Sequence, residues 1–165
     1  MSAPFTTVYV GVGSNLSSPI KQVSLAINAL KTITNCQVTA VSSLYGSKPM
    51  GPQDQPDYIN AVVELQTSLA PLLLLDELQA LENKAGRVRK ENRWGARILD
   101  LDILLYGDKV IDNDRLTVPH YGMKLREFVL LPLAEINPDL TLPDGEKVSE
   151  LAMNIADNGL VKLAE

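Results

Sequence analysis

The sequence predicts an α+β domain on a split βαβ plan, an antiparallel sheet with helices packed against it. Three observations lead there. Stretches of period-2 and period-3.6 apolar patterning follow one another in the order βαββαβ. At 165 residues the chain is about one domain long, so residues 1–165 are read as a single domain that buries about two thirds of its unfolded surface. Its 45% hydrophobic and 21% charged composition is that of a soluble globular protein, neither disordered nor collagen-like.

Val8, Val10 and Val12 alternate with Tyr9, Gly11 and Gly13, a strand with one core face. Ser14 and Asn15 turn the chain, Ser17 or Ser18 caps a helix, and Pro19 suits its first turn. Ile20, Val23, Ile27, Leu30 and Ile33 then recur at helical spacing over roughly four turns. Residues 37–45 and 58–66 read as the second and third strands, separated by the loop KPMGPQDQPD, whose length in a compact domain points to function. Leu74, Leu75, Leu78, Leu81 and Ala85 mark a second helix, with Pro71 near its start and Gly86 as C-cap. A fourth strand, ILDLDILLYG, leads through a Gly107–Asp108 turn into a short partner strand, KVID. MKLREFVLLPLAEI and EKVSELAMNIADN each predict one more short helix.

The formal charge of −5 hides an uneven distribution. Residues 84–97 hold six cations against the single acid Glu91, a local balance of +5 that leaves −10 on the other 151 residues. An acidic protein with one dense cationic segment suits a compact polyanion better than a long nucleic acid or an anionic membrane. Cys36 is the only cysteine, which excludes an intramolecular disulfide and a cysteine-rich metal site and fits a reducing cytoplasm. The N-terminus lacks a signal-peptide pattern, and the most apolar later stretch, 69–75, is short and contains Pro71. The expectation is a cytoplasmic protein with no membrane span.

The fourth strand carries the chemistry. Leu99, Leu101, Ile103 and Leu105 share one face, Asp100, Asp102, Leu104 and Tyr106 the other. The two carboxylates stand about 6.6 Å apart at Cα and can converge on one or two divalent cations. The bland alternative is a pair of solvated carboxylates at a strand end, the commoner meaning of a bare Asp-x-Asp. Arg87, Arg89, Arg93 and Arg97, with Trp94 among them, lie immediately upstream, and clustered guanidiniums beside metal-binding carboxylates are what phosphoryl transfer requires. On the third strand Tyr58, Asn60, Val62, Glu64 and Gln66 face away from Ile59, Ala61, Val63 and Leu65, so Tyr58 and Asn60 are placed to read a flat heterocycle, or to be an ordinary amphipathic face. His120, the only histidine, is either structural or a phosphate donor. GVGSNL lacks a third glycine and a following acidic residue, which favours a tight strand-to-helix turn over a dinucleotide fingerprint.

GSN after the first strand, GPQDQPDYINA around the third, GRVRKENRWGARILDLDILLYG and LTVPHYGMKLREF together resemble the 6-hydroxymethyl-7,8-dihydropterin pyrophosphokinases of folate biosynthesis, collinearly and over essentially the whole chain. The resemblance implies a ferredoxin-like fold, two Mg²⁺ ions, and transfer of diphosphate from ATP to the pterin hydroxymethyl oxygen with release of AMP. It implies Asp100 and Asp102 as metal ligands and Arg87 and Arg97 as catalytic arginines. Arg89, Arg115, His120, Tyr121 and Arg126 match positions that bind ATP, mainly its phosphates, while Gln79, Glu82, Ile103 and Thr117 fall where the nucleoside is held. Tyr58, Asn60, Trp94 and Phe128 match the pterin site, the two rings Trp94 and Phe128 sandwiching the bicycle, with Ser47 and Met50 contributing main-chain contacts. The loops around 48–56 and 86–97 correspond to loops that close over substrates. The expected partners are the two small-molecule substrates alone, with no nucleic acid or membrane, and the protein is expected to be a monomer. The rival from another class is an RNA-binding or regulatory ligand-binding module on the same fold.

Overall fold

The computed structural model describes residues 5–14, 19–47, 58–85, 99–156 and 160–163. Its first element, β1 (Thr6–Ser14), is followed by α1 (Pro19–Leu30), β2 (Cys36–Val41), β3 (Tyr45–Ser47), β4 (Tyr58–Thr67), α2 (Pro71–Lys84) and β5 (Asp100–Tyr106). Two short strands, β6 (Ile111–Asp112) and β7 (Thr117–Val118), precede a 3₁₀ turn at Met123–Leu125. Helices α3 (Glu127–Ile136) and α4 (Val148–Asn154) and strand β8 (Val161–Lys162) complete the order.

The main sheet runs β5-β1-β4-β3-β8, with β2 also paired to β4 beside β3, and every pairing is antiparallel. The predicted second strand is thus two strands, β2 and β3, laid along one edge of β4. The ferredoxin-like fold expected from the sequence is the fold observed.

Alternation along β1 and β4 sends Val8, Val10, Val12, Ile59, Ala61, Val63 and Leu65 into a core shared with Val23 and Leu30 of α1 and Leu74 and Leu78 of α2. Burying each such side chain fully contributes about 1.5–3 kcal/mol, so this layer is the fold's main anchor. The opposite face is not bare. Tyr9, Val62, Leu104 and Leu105 pack there against Met123, Val129, Leu133 and Val148, so α3 and α4 cover part of the second face and the domain has three layers. Helix α1 is 12 residues, shorter than the four turns predicted, because the chain turns at residues 31–35 while Ile33 stays buried.

Two strand-level expectations are corrected. The register of β5 against β1 shifts between Tyr9 paired with Leu105 and Val10 paired with Ile103, which leaves Leu104 as the extra residue of a β-bulge. One inserted residue reverses the faces beyond it: Leu105 joins the α3 side and Tyr106 the α1/α2 side, the reverse of strict alternation. The KVID segment, expected to pair with the fourth strand, instead places Ile111 and Asp112 opposite Val118 and Thr117. The Asn113 side chain closes that hairpin by accepting from the backbone N–H groups of Arg115 and Leu116. The outer edge of β5 is satisfied elsewhere: Leu101 N–H donates to Glu82 Oε2 at 2.8 Å, and Leu104 O accepts from His120 N–H at 3.0 Å.

Candidate active site

Helix α3 stops short of one end of its sheet face, and the uncovered end is a cleft. The floor is β1, whose Gly11 and Gly13 have no side chain to fill it. In the antiparallel register Gly13 stands between Asn60 of β4 and Asp100 of β5, and Gly11 between Val62 and Asp102. Tyr58, Asn60, Asp100 and Asp102 line the walls, and Arg126, Glu127 and Phe128 close one side where α3 begins. As the period-2 pattern predicts, Gly11 and Gly13 lie within a nine-residue strand, on the face opposite the valines; the strand runs on through Ser14, which the sequence placed in the turn.

Asp100 is half-buried and Asp102 exposed, on one face as the i, i+2 spacing requires. Their oxygens are hard donors suited to magnesium, and the missing side chains opposite leave clearance above the strand. No group of three or more His, Cys, Asp or Glu forms a metal cluster among the described residues. Two carboxylates thus fit a cation that takes its remaining ligands from phosphate and water, the usual habit of Mg²⁺.

His120 follows the cis Val118–Pro119 bond and docks on the bulge through its backbone bond to Leu104. Its Nδ1 accepts from Gly122 N–H at 3.1 Å, which assigns the ring proton to Nε2. Burial lowers its pKa, the Asp102 charge opposes that shift, and Arg126 adds to it. The ring is neutral at pH 7 and stacks on Tyr121 with centroids 4.8 Å apart. Arg126 Cζ stands 5.9 Å from the Tyr121 ring centroid and 5.7 Å from that of Phe128. The sequence candidates His120, Tyr121, Arg126 and Phe128 therefore form one continuous cluster of stacked rings and a cation on the α3 side of the cleft.

A second group of candidates lies along α2 and the small hairpin. Arg115 Nη2 donates to Asp76 Oδ1 at 2.7 Å and to Gln79 Oε1 at 3.1 Å, which fixes the hairpin to α2. Thr117 is exposed on β7, while Ile103 is only 2% exposed and packs into the α1/α2 core. Glu82 is buried and spends one oxygen on the Leu101 N–H. That role escaped the sequence, since it joins residues 19 positions apart. The backbone of Ser47 pairs with Tyr58. The Ser47 side chain and Met50, Arg87, Arg89, Trp94 and Arg97 lie outside the described residues, as do the loop 48–57, Asn15, the N-cap candidates Ser17 and Ser18, and the C-cap candidate Gly86. Helix α2 ends at Lys84 and is capped by Ala85, whose N–H bonds back to Leu81 O. No helix among the described residues is long and apolar enough to cross a membrane.

The chain is similar to known proteins. The chain is 54% identical over 157 residues to 2-amino-4-hydroxy-6-hydroxymethyldihydropteridine pyrophosphokinase of Haemophilus influenzae, covering 95% of this chain and 98% of that protein. It is 51% identical over 156 residues to the protein of the same name from Pseudomonas aeruginosa, covering 94% and 96%. Among solved structures, wild-type Plasmodium falciparum HPPK-DHPS with pteroate superposes with a TM-score of 0.72 at 13% identity, over 93% of this chain and 43% of that one. The chain thus spans less than half of that longer protein, and at such identity the likeness speaks for the fold. Residues 9–138 match the family described as 7,8-dihydro-6-hydroxymethylpterin-pyrophosphokinase, and the chain belongs to that family.

Proposed function

We propose that the protein transfers diphosphate from ATP to the hydroxymethyl oxygen of 6-hydroxymethyl-7,8-dihydropterin, a step of folate biosynthesis. The pterin hydroxyl oxygen forms a bond to the β-phosphorus of ATP as the bond from that phosphorus to the α–β bridging oxygen breaks. AMP leaves with the bridging oxygen, and the hydroxyl proton is lost. The observation that carries this reading is the cross-strand row Asn60, Gly13, Asp100. It sets an amide able to read the edge of a heterocycle one strand-width on one side of a side-chain-free floor and a carboxylate on the other.

Within this reading Asn60, Tyr58 and Phe128 hold the pterin, with Trp94 as its second stacking ring and Ser47 and Met50 at its edge. Asp100 and Asp102 would hold two Mg²⁺ ions, which supply charge neutralisation on the phosphates and a lowered pKa for the attacking hydroxyl. Arg126, held over two rings, the Nε2–H of neutral His120 and Arg115 are donors for ATP, mainly for its phosphate oxygens, and Gln79 and Thr117 receive the nucleoside end. Arg87, Arg89 and Arg97 supply further charge to the triphosphate. Rate then comes from alignment of the hydroxyl with the phosphorus and from fixed positive groups. We take the chain to act as a monomeric single domain in the reducing cytoplasm, consistent with the single thiol of Cys36.

The test is product identification. Incubated with ATP, Mg²⁺ and the reduced pterin, the protein should release one AMP per pterin diphosphate formed. Formation of ADP, or no turnover, overturns the assignment.

A further inference from the structure

We propose that Gly13 is a positioning and specificity-determining residue for the pterin: its missing side chain is the space that holds the Asn60 amide in place. The inference rests on the reading of Asn60 as a pterin-binding residue. Gly13 lies inside β1 and its φ is outside the left-handed region, so no turn or backbone conformation asks for glycine there. A strand interior disfavours glycine unless another group approaches closely. Here one does. A Cβ built on Gly13 would stand 2.8 Å from Asn60 Oδ1 and 3.8 Å from the Ile59 carbonyl oxygen. The first distance is shorter than real Cβ atoms show. Gly11 differs: the three atoms nearest a Cβ there are Leu104 side-chain carbons, at 3.5, 3.6 and 3.7 Å, ordinary packing distances.

Asn60 has little room to retreat, because it is only 8% exposed and its backbone is paired on both sides, with Gly13 of β1 and Tyr45 of β3. A methyl group at position 13 therefore turns the amide rather than moving the strand. An amide reads the edge of a heterocycle through directional hydrogen bonds, which weaken steeply with misalignment. The nucleotide contacts assigned above on β7, α2 and the 115–126 segment do not pair with Gly13; Asp100, which does, contributes none of the three atoms nearest that Cβ, which belong to Asn60 and Ile59. The cost of a side chain at position 13 should thus fall on the pterin alone.

The experiment measures pterin binding by calorimetry to wild type, Gly13→Ala, Asn60→Ala and the double variant, with Mg²⁺ and α,β-methylene-ATP saturating, and separately the binding of α,β-methylene-ATP. Gly13→Ala should weaken pterin binding by about tenfold or more, the scale of one misdirected hydrogen bond to a bound ligand, and leave nucleotide affinity within about twofold. In the Asn60→Ala background, where the contact is gone, Gly13→Ala should cost nothing further. If Gly13→Ala fails to fold while the double variant folds, the close contact is confirmed; if both fail, glycine serves the backbone and the proposal falls. Wild-type pterin affinity in Gly13→Ala, or the same tenfold loss in both backgrounds, also overturns it. Unchanged affinity in Asn60→Ala alone would instead remove Asn60 from the pterin site, a separate result that refutes the underlying reading.

Discussion

The carboxylate of Glu82 on the last turns of α2 accepts a hydrogen bond, 2.8 Å long, from the backbone N–H of Leu101 on β5. Leu101 is flanked by Asp100 and Asp102, and β5 is the outermost strand, so this side chain takes the place of a neighbouring strand at the one point where strand position sets the carboxylates. Both groups are buried, and an orphaned N–H there costs the desolvation of the donor.

Glu82→Ala should accordingly lower stability by about 1–3 kcal/mol. Glu82→Gln, which keeps an acceptor oxygen in reach, should recover most of that loss. Urea unfolding of the two variants beside wild type checks this, and equal losses in both would show that charge, not the bond to Leu101, is what matters.

Asp100→Asn and Asp102→Asn should each reduce AMP release by about 10²-fold or more, since fixed charge stabilisation at the reacting phosphate is lost. Like charges two residues apart on one strand face repel, so Asp102→Asn should not lower the melting temperature. An active variant, or an Asp102→Asn protein inactive only because it melts early, would contradict the assignment.

Arg115 bridges the β6–β7 hairpin to Asp76 across an exposed interface, the two side chains being 45% and 54% accessible. Such a pair contributes at most about 1 kcal/mol. Arg115→Ala should therefore be nearly neutral in thermal melts yet raise the KM for ATP several-fold with kcat little changed, while Asp76→Ala serves as the control that removes the ion pair and keeps the cation. A loss of stability equal in the two variants, with KM unmoved, would make Arg115 structural only.

His120 titrates below its ordinary value of 6.5, chiefly because burial penalises the imidazolium. As the pH falls through 6.5 the unfolded chain takes up a proton that the folded one refuses. The native state is therefore at full advantage above 6.5 and loses it as pH falls toward the folded pKa. In metal-free buffer the stability difference between wild type and His120→Gln should shrink as pH drops from 8 to 5.5. A pH-independent difference would contradict a neutral buried ring.

Much of the site was legible because strand alternation is a local property. The spacing of Asp100 and Asp102 put both on one face, the pattern of residues 58–66 put Tyr58 and Asn60 opposite the core residues of β4, and both assignments hold in the fold. The arginine-rich segment pointed to a compact polyanion from its charge alone, and its arginines lie outside the described residues. The β-bulge at Leu104 was not legible, since nothing in ILDLDILLYG distinguishes strict alternation from one inserted residue until β1 imposes its own register. Nor was the pairing of β6 with β7, which follows from the edge of β5 being occupied by Glu82 and His120.

By itself, the sequence determined the order of strands and helices, the inward faces of β1 and β4, and the family to which the chain belongs, because periodicity and motif spacing reside in neighbouring residues. Tertiary structure decided the rest. It set Gly11 and Gly13 of the predicted strand between β4 and the two aspartates of β5, as the floor of a cleft, and it made Glu82 a substitute for a missing strand. It also laid α3 over only part of the second sheet face, leaving the cleft open. Each of these depends on which distant segments lie side by side, and only packing the whole sheet between its helices settles that.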